Sequence, residues 1–597
     1  MLWWLTAQEM KKIILISILM VAIKIGNAQV WQWANDADSP ANIVGICTDN
    51  AGNTVVTGQY SSGGPNIVFG PLTATTTGGP NLYIAKYDPA GVILWLKCTS
   101  LNALNSSWGT AVSTDAAGNV YLTGGFSGDS VVLGSFTLVN PNHTNDDDHG
   151  IDNILIAKYD PNGNVLWAKT AFKNDTTDCW GGTSISAESN GNFYVTGEFK
   201  GDTLALDSHT LTNSDPSHNN IFVAKCNTNG SYSWVNQPTI VDGDVREPHV
   251  SYDAAGNVYV TGNYLGEVAF GTHTLTQTFN YELFIVKYDP NGNVIWAKNS
   301  TSQAPHDAVA FSSCTDVAGN IYVSGYFSGT NIVIGTYSLS NSNTNQSQKN
   351  MFVAKLDGNG NVLFIKNSGG SGSYIASSIV ASGNSFYVAI SGNLSTTPKT
   401  IILDTYTTTS LFTPGLVYPV FIAQYDLNGN ALNVTSLADG GYDISPYNSG
   451  NKLSTNENCK VHFGSVYRSA VPSNNPFMVG TYTFTPKPFS PSMYPFVAKL
   501  EFDKNCPEVT TDLSINHMSG LKVNMFPNPT NGVFKIELDE QIEGSELILM
   551  NTMGQIVYEQ KLAPGLSEVN CTLSSGVYQY TILKNKHAIA KGKLIVN

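Results

Sequence analysis

The feature that most constrains this chain is a segment of fifteen residues that recurs along most of its length. It reads NLYIAKYDPAGVILW at 81–95, and further copies stand at 153–167, 220–234, 282–296, 350–364 and, in weaker form, 419–433. Its lysine recurs as Lys86, Lys158, Lys225, Lys287 and Lys355, is replaced by Gln424 and returns as Lys499. The spacings of 62 to 75 residues between these positions predict seven copies of one long repeat with variable loops.

A second motif precedes each copy of the first. It reads DNAGNTVVTG at 49–58 and recurs at 115–124, 188–197, 253–262 and 316–325, then in degenerate form at 381–392 and in a stretch ending near Gly480. Both motifs place Asp, Gly and Asn between apolar runs, as tight β-hairpins require. Two hairpins give about four strands per repeat, the size of a propeller blade. The apolar runs are nearly continuous, which is typical of sheets covered on both faces.

The two ends of the repeat array complement each other. After Lys499 the last repeat lacks the outer strand of NVLWAK type, and a matching strand, Val30–Ala34, stands at the start of the array. Pairing the N-terminal strand into the last sheet would remove two exposed edges. The chain is therefore predicted to be all-β, with residues 29–506 forming a seven-bladed β-propeller closed by an N-terminal strand.

The paired DxxGNxYVTG and FVAKYDPNGNVLWAK motifs resemble the SBBP family of seven-bladed β-propeller repeats. Five of the seven repeats carry both motifs well. The resemblance implies a fold and says little about activity.

The C-terminal segment has a different pattern. Residues 507–520 are a polar linker, and 521–597 contain short strand-like runs between Gly and Asn turns, as in a small β-sandwich. The stretches FPNPTNG at 526–532, NTMGQIV at 551–557 and LSSGVY at 573–578 resemble the type A C-terminal sorting domain of type IX secretion. The alternative is an accessory sandwich. The residues that carry this motif are Pro527, Asn528, Pro529, Gly532, Gly554, Gly576 and Tyr578.

That resemblance implies a Bacteroidetes-like protein that contacts the type IX secretion machinery, crosses the outer membrane and is then released or held at the cell surface. The N-terminus agrees with export, because Lys11 and Lys12 precede an apolar run and small residues lie before Gln29. Residues 1–28, with a start at Met10, are therefore predicted to be a signal peptide. A membrane anchor is the alternative, but the run is short for a spanning helix. We expect a secreted or extracellular outer-membrane location, with no membrane span after cleavage.

The charge balance excludes several partners. The net charge of −15 and a pI near 5.0 repel phosphate backbones, so nucleic acid is not an expected partner. Only two arginines occur, Arg246 and Arg468, so a cluster of guanidinium groups cannot form. Eight cysteines are present without Cys-x-x-Cys spacing, and Cys459 with Cys506 is the candidate disulfide.

Candidate binding residues lie on the side of the array opposite the Asp–Gly turns, where the variable loops are. Segments entering the innermost strands carry aromatic and cationic residues that can stack on sugars or hold an extended ligand, or that alternatively fill gaps between blades. These residues are Trp108, Trp180, Arg246, His306, Tyr374 and His462. A loop with Asp146, Asp147 and Asp148 is a candidate Ca²⁺ site, although it lacks the spacing of a dedicated calcium loop. No other cofactor is expected.

No catalytic motif is recognised. The repeated DPNGN turns differ in spacing from the sialidase Asp-box and are interpreted as structural. Asp178, Glu247 and Asp307 are channel-side acid candidates, while innermost strands rich in Ser, Thr and Val argue against catalysis. The leading hypothesis is an exported, noncatalytic binding or adhesion protein that recognises a polysaccharide or a protein. The alternatives are a carbohydrate-active glycosidase or lyase and a structural envelope or matrix component.

Overall fold

The protein was analysed as a computed structural model, in which every described element is a β-strand. The described residues are 30–60, 66–76, 79–101, 106–140, 152–173, 179–302, 307–341, 348–370, 372–393, 399–409, 419–437, 442–443, 451–457, 460–469, 477–479, 481–484, 493–502, 524–526, 533–537, 545–550, 556–562, 566–571, 576–584 and 587–596. The chain divides into two compact units, residues 1–507 and 508–597. No helix within the described ranges is long and apolar enough to cross a membrane.

The N-terminal strand and the first three repeats supply strands 1 to 20. They are β1 (Val30–Asp36), β2 (Gly45–Thr48), β3 (Thr54–Tyr60), β4 (Asn66–Phe69), β5 (Leu72–Thr75), β6 (Asn81–Tyr87), β7 (Ile93–Cys98), β8 (Ser100–Leu101), β9 (Ser107–Thr114), β10 (Val120–Phe126), β11 (Ser130–Leu133), β12 (Phe136–Val139), β13 (Asn153–Tyr159), β14 (Val165–Lys173), β15 (Cys179–Ala187), β16 (Phe193–Phe199), β17 (Thr203–Leu206), β18 (His209–Thr212), β19 (Asn220–Cys226) and β20 (Tyr232–Asn236).

The remaining four repeats supply strands 21 to 43. They are β21 (Thr239–Tyr252), β22 (Val258–Phe270), β23 (His273–Tyr288), β24 (Val294–Ser302), β25 (Ala308–Thr315), β26 (Ile321–Phe327), β27 (Asn331–Ile334), β28 (Tyr337–Ser340), β29 (Asn350–Leu356), β30 (Val362–Asn367), β31 (Gly369–Gly370), β32 (Tyr374–Ser382), β33 (Ser385–Gly392), β34 (Thr400–Leu403), β35 (Tyr406–Thr409), β36 (Val420–Asp426), β37 (Ala431–Leu437), β38 (Tyr442–Asp443), β39 (Lys452–Glu457), β40 (Lys460–Ser469), β41 (Phe477–Val479), β42 (Tyr482–Phe484) and β43 (Tyr494–Glu501).

Each repeat contributes one sheet with a run of four antiparallel strands. The strand orders are β2-β3-β6-β7, β9-β10-β13-β14, β15-β16-β19-β20, β21-β22-β23-β24, β25-β26-β29-β30, β32-β33-β36-β37 and β39-β40-β43-β1. The N-terminal strand β1 thus pairs antiparallel with β43, as the complementary chain ends predict. Together these sheets give the N-terminal unit a propeller-like arrangement.

Both Asp–Gly turns are stabilised by the side chain of their own aspartate. Asp115 accepts hydrogen bonds from the backbone N–H groups of Ala117 and Asn119, at 3.0 and 2.9 Å. Asp160 does the same for the second turn with the N–H groups of Asn162 and Asn164, at 2.9 and 2.8 Å. These bonds satisfy the turn backbone, as an aspartate-capped turn requires.

A third hairpin stands between the second and third strands of each sheet, in the segments that the sequence indicated only as variable loops. It is formed by β4–β5, β11–β12, β17–β18, β27–β28, β34–β35 and β41–β42, and in the fourth repeat by extensions of β22 and β23. In the third and fifth repeats it pairs with the outer strand of the preceding repeat, through β14–β17 and β24–β27. These pairings tie neighbouring repeats together.

The hydrophobic core is divided into clusters that lie between consecutive repeats. One cluster joins Leu82 and Trp95 of the first repeat to Leu122 of the second. Equivalent clusters join every later pair of neighbours, and one joins Trp33 and Val497 of the last sheet to the first repeat. Burial between sheets, rather than within one, therefore stabilises the unit.

A buried ion pair recurs beneath the turns. Lys86 lies 2.9 Å from Asp49, and the corresponding pairs are Lys158–Asp115, Lys225–Glu188, Lys287–Asp253 and Lys355–Asp316, at 3.3 to 3.9 Å. Three of these lysines also donate to the next repeat, with Thr228, Gly358 and Leu427 as acceptors. The repeated lysine of the sequence motif is therefore a structural residue that links repeats.

The C-terminal unit consists of two sheets around one core. Its strands are β44 (Asn524–Phe526), β45 (Val533–Glu537), β46 (Ser545–Met550), β47 (Ile556–Leu562), β48 (Leu566–Asn570), β49 (Gly576–Lys584) and β50 (His587–Val596). The orders are β44-β45-β48 and β47-β46-β49-β50. Residues of both sheets, such as Phe534 and Leu547, share the core, as in a small sandwich.

Candidate functional site

The side of the N-terminal unit where the first strand of each sheet begins is called here the loop face, and the side with the Asp–Gly turns the turn face. Trp108 and Arg246 enter their first strands at corresponding positions, opposite Gly125 and Asn263 in register. Trp108 is half-buried, and a Cβ at Gly125 would lie only 2.5 Å from its Cζ2 atom. The indole ring therefore lies across the glycine, with part of its surface exposed on the loop face.

Two other candidate residues are buried. Tyr374 opens β32 as predicted, but it is 2% exposed and its hydroxyl donates to the Thr400 carbonyl at 2.9 Å. The prediction that His462 lies at the channel mouth is wrong, because it sits on the second strand of its sheet with 0% exposure. Its ring hydrogen-bonds Thr54 and packs edge-on against Trp33.

The remaining predicted residues cannot be placed in the same way. Trp180 belongs to β15, with its side chain outside the described part of the chain. His306, Asp178, the calcium candidates Asp146, Asp147 and Asp148, and the disulfide candidates Cys459 and Cys506 also lie outside the described residues. So do Pro527, Asn528, Pro529, Gly532 and Gly554 of the sorting motif, whereas Gly576 begins β49 and Tyr578 is buried on it.

Arg246 belongs to a charged group on the loop face of the third and fourth repeats. Its Nε donates to Asp244, and its guanidinium lies 5.6 Å from the centre of the Tyr281 ring. Asp244 is 2% exposed and also accepts the Tyr281 hydroxyl at 2.5 Å and the Asn219 N–H at 2.7 Å. These donors fix Asp244, while the half-exposed arginine faces solvent.

Two glutamates complete what we call the Glu198–Glu247 site, which comprises Glu198, Asp244, Arg246, Glu247, Asn263 and Tyr281. The Glu247 N–H donates to Glu198 Oε1 at 2.6 Å, and Asn263 Nδ2 donates to Glu247 Oε2 at 2.8 Å. Glu247 has a φ of 54°, a left-handed conformation that costs a non-glycine residue about 1–3 kcal/mol. Such local strain clusters at functional sites.

The charge state of Glu198 is unusual. Burial, with added repulsion from Glu247 and Asp244, raises its pKa to about 7, although the Glu247 N–H and Arg246 oppose the shift. Near neutral pH Glu198 is therefore partly protonated, so the site combines a carboxyl group that can donate or accept with the exposed Glu247 side chain, an amide and a guanidinium. This mixture can donate to and accept from neighbouring sugar hydroxyls.

The first strands of all seven sheets line one central cavity of about 390 Å³. One layer of it, at the loop-face end, consists of residues in equivalent register: Gly45, Ala111, Ser184, His249, Ser312, Ser378 and Lys452. Ser184, Ser312 and Ser378 accept backbone N–H groups of the following repeat at 3.1 to 3.3 Å. We call this ring the His249–Lys452 layer, after its two nitrogen bases.

Glu198, His249 and Lys452 were missed by the sequence reasoning. Glu198 follows the last glycine of its VTG motif, at the position that Gly125 holds in the second repeat. His249 and Lys452 stand where three other repeats have serine. A position-by-position comparison of the repeats, rather than a search for known motifs, would have found all three.

Comparison with known proteins identifies the C-terminal unit. Residues 524–597 match the secretion system C-terminal sorting domain family. The match indicates sorting by type IX secretion, which implies contact with that machinery, export, and a secreted or surface location.

Two curated proteins are similar to parts of this chain. It is 26% identical over 392 residues to an uncharacterized WD repeat-containing protein of Acanthamoeba polyphaga mimivirus, covering 54% of this chain and 27% of that protein. It is 32% identical over 90 residues to an ulvan lyase of Nonlabens ulvanivorans, covering 15% and 17%. The chain thus spans about a quarter or less of the length of these curated relatives.

Similar solved structures have low sequence identity. Prolyl oligopeptidase B from Galerina marginata aligns with 73% of this chain and 48% of its own, at 10% identity and a TM-score of 0.31. PorZ, a surface component of the type IX system of Porphyromonas gingivalis, aligns with 94% and 100%, at 10% identity and a TM-score of 0.15. At these TM-scores neither likeness supports an inference about function.

Proposed function

We propose that residues 29–506 form a closed seven-bladed β-propeller of SBBP type, exported as a noncatalytic binding protein whose loop face recognises a polysaccharide. The observation that carries the binding function is the half-buried Trp108 ring lying across Gly125, on the same face as the Glu198–Glu247 site. An aromatic platform and nearby polar groups are the combination that sugar rings require.

Three features support ring closure. The strand β1 pairs with β43, so that the seventh sheet reaches four strands. A hydrophobic cluster joins the last sheet to the first repeat, as others join consecutive repeats. Trp33 in β1 donates to the Pro89 carbonyl of the first repeat at 3.0 Å, and Trp95 repeats this bond to Pro161 of the second.

Binding is tested with the exported chain on a broad glycan array, with and without Ca²⁺. We expect saturable binding that Trp108→Ala weakens by about tenfold to one-hundredfold, the value of one base-sized stacking contact of about 1–3 kcal/mol. Leu166→Ala is the matched control, because Leu166 is 48% exposed on an outer strand. Equal losses in both variants, or no binding to any glycan, would refute the polysaccharide function and direct the search to protein ligands.

A second candidate function is carbohydrate cleavage, favoured by one observation. Burial raises the pKa of Glu198, as a general acid requires, and Glu198 accepts the backbone N–H of Glu247, a residue that supplies a second carboxyl group to the site. Release of shorter products from a bound polysaccharide, abolished in both Glu198→Gln and Glu247→Gln, would establish this activity. Binding without product release would leave the noncatalytic function.

A further inference from the structure

The lining of the central cavity contains two nitrogen bases and no carboxylate among the described residues. Among the described residues that line it there is no aspartate or glutamate, while Lys452 and His249 both face it. The other polar lining groups are mainly Ser and Thr hydroxyls. In a chain with a net charge of −15, a cavity with this lining is a local exception.

The Lys452 side chain has no hydrogen-bond or ion-pair partner within the described parts of the chain. Burial lowers its pKa, and the charge of Glu247 opposes that shift. In the sheets of the third, fifth and sixth repeats the same position is a serine that bonds the next repeat, so a lysine is not required to hold the ring together. A lysine that lines a cavity without forming an ion pair can bind an anion there through a charge-assisted hydrogen bond.

A second nitrogen base lines the same space. Burial, and then the charge of Lys452, lower the pKa of His249 to about 3, so its ring is neutral at pH 7 and carries one N–H donor.

We propose that the His249–Lys452 layer binds an oxyanion, the carboxylate or sulfate of an acidic polysaccharide whose end enters the cavity from the loop face. This inference rests on the proposed polysaccharide-binding function and names the class of ligand. A cavity of about 390 Å³ lies within the usual range of small-molecule sites, so it accommodates a charged sugar unit. The net negative charge of the protein opposes such a ligand at long range, but at physiological salt this field is screened within about 8 Å.

The test is titration calorimetry of the exported chain at physiological salt with three probes: oligogalacturonate, sulfated dextran oligosaccharides and neutral dextran oligosaccharides. The first two separate a carboxylate from a sulfate ligand. We expect at least one of them to bind, and Lys452→Met to weaken that binding about tenfold to one-hundredfold, as for loss of one charge-assisted hydrogen bond. Lys452→Arg should retain most of it.

The matched control is Lys366→Met, which removes one positive charge from an exposed ion pair with Asp404 on the sixth repeat. It should leave binding unchanged. Each variant is first checked for an unchanged melting temperature, and Lys452→Gln replaces Lys452→Met if the latter does not fold.

The outcomes separate this inference from the function on which it rests. Unchanged acidic-sugar binding in Lys452→Met, or in Lys452→Gln where it replaces that variant, would overturn the inference, as would neutral sugars binding as well as acidic ones. Binding of neutral sugars alone would overturn it while leaving the proposed function intact. No binding to any probe or glycan would overturn both.

Discussion

The buried ion pairs beneath the turns yield a quantitative prediction in the fifth repeat. Lys355 lies 3.4 Å from Asp316, donates to the Leu427 carbonyl at 2.9 Å and stands 4.8 Å from the centre of the Tyr322 ring. Both charged side chains are less than a tenth exposed. We consider Lys355→Gln, Asp316→Ser and the double variant, because the sixth repeat has these residue types naturally. Gln424 stands there in place of the lysine, and the turn that corresponds to the Asp316 turn is a short hairpin closed by two serines.

The magnitudes follow from the partners that remain. Removing one member of a buried pair typically costs about 3–5 kcal/mol. Without the lysine, Asp316 keeps donors from Ala318, Asn320 and Tyr322, so we expect the low end, about 3 kcal/mol. Asp316→Ser also loses the turn cap and should cost at least as much. The double variant leaves no unpaired charge, so its loss of unfolding free energy should be about 2 kcal/mol smaller than the sum of the losses in the two single variants.

The assay is denaturant unfolding of the four proteins, followed by tryptophan fluorescence and combined as a double-mutant cycle. Because burial would raise the pKa of Asp316 while Asn320 and Lys355 hold it below its ordinary value, the coupling should be present at pH 7 and shrink as the pH falls through that lowered pKa. Additivity within about 0.5 kcal/mol at pH 7 would refute the argument that the two charges are kept or lost together.

Three further predictions concern packing, charge and closure. Gly163→Ala should lower the free energy of unfolding by about 1–3 kcal/mol more than Gly118→Ala, as measured by thermal unfolding. Both glycines have a positive φ, but only at Gly163 would an added Cβ contact Trp95, at 2.8 Å. Equal losses in the two variants would contradict this packing argument. Glu198→Gln should be more stable than the parent protein at pH 8 but not at pH 4. Because burial raises the pKa of Glu198, the stability contributed by the protonated carboxyl group is lost as the pH rises through about 7. If the variant and the parent differed in stability by the same amount at both pH values, this argument would be wrong. Deleting Val30–Asp36 from the mature chain should expose the edge of β43 and lower the aggregation temperature, measured by light scattering, and an unaffected protein would contradict closure.

The repeat motifs predicted the scaffold because their turn chemistry is local. The hydrogen bonds that stabilise each turn lie within five residues, as those of Asp160 with Asn162 and Asn164 do. The hairpins could therefore be predicted from the local sequence alone. The third hairpin was missed since its strands are only three or four residues long where they stand alone. Its signal is a single position of positive φ, filled by Gly70, Gly134, Asp207, Gly271, Gly335 and Asp404.

The position of His462 shows where prediction from the repeat motifs fails. The seventh repeat diverges from the motif, and the histidine occupies the register position opposite Lys499 that Tyr121 holds opposite Lys158 in the second repeat. An aromatic ring at that position packs between repeats, whichever residue provides it. With the motif eroded, the sequence alone did not reveal which strand carried the residue.

The repeats also act as internal controls for function. Where most copies use the same residue for packing, as with the five tryptophans that donate to the next repeat, its recurrence has a structural cause. Glu247 does not recur in this way. The neighbouring repeats have Gly182 and Ala310 at its register position, and Glu247 adopts a strained, positive φ there. Lys452 departs likewise from serine. Both residues lie at the loop-face end of the first strands and line or adjoin the central cavity, so a ligand should be sought there first.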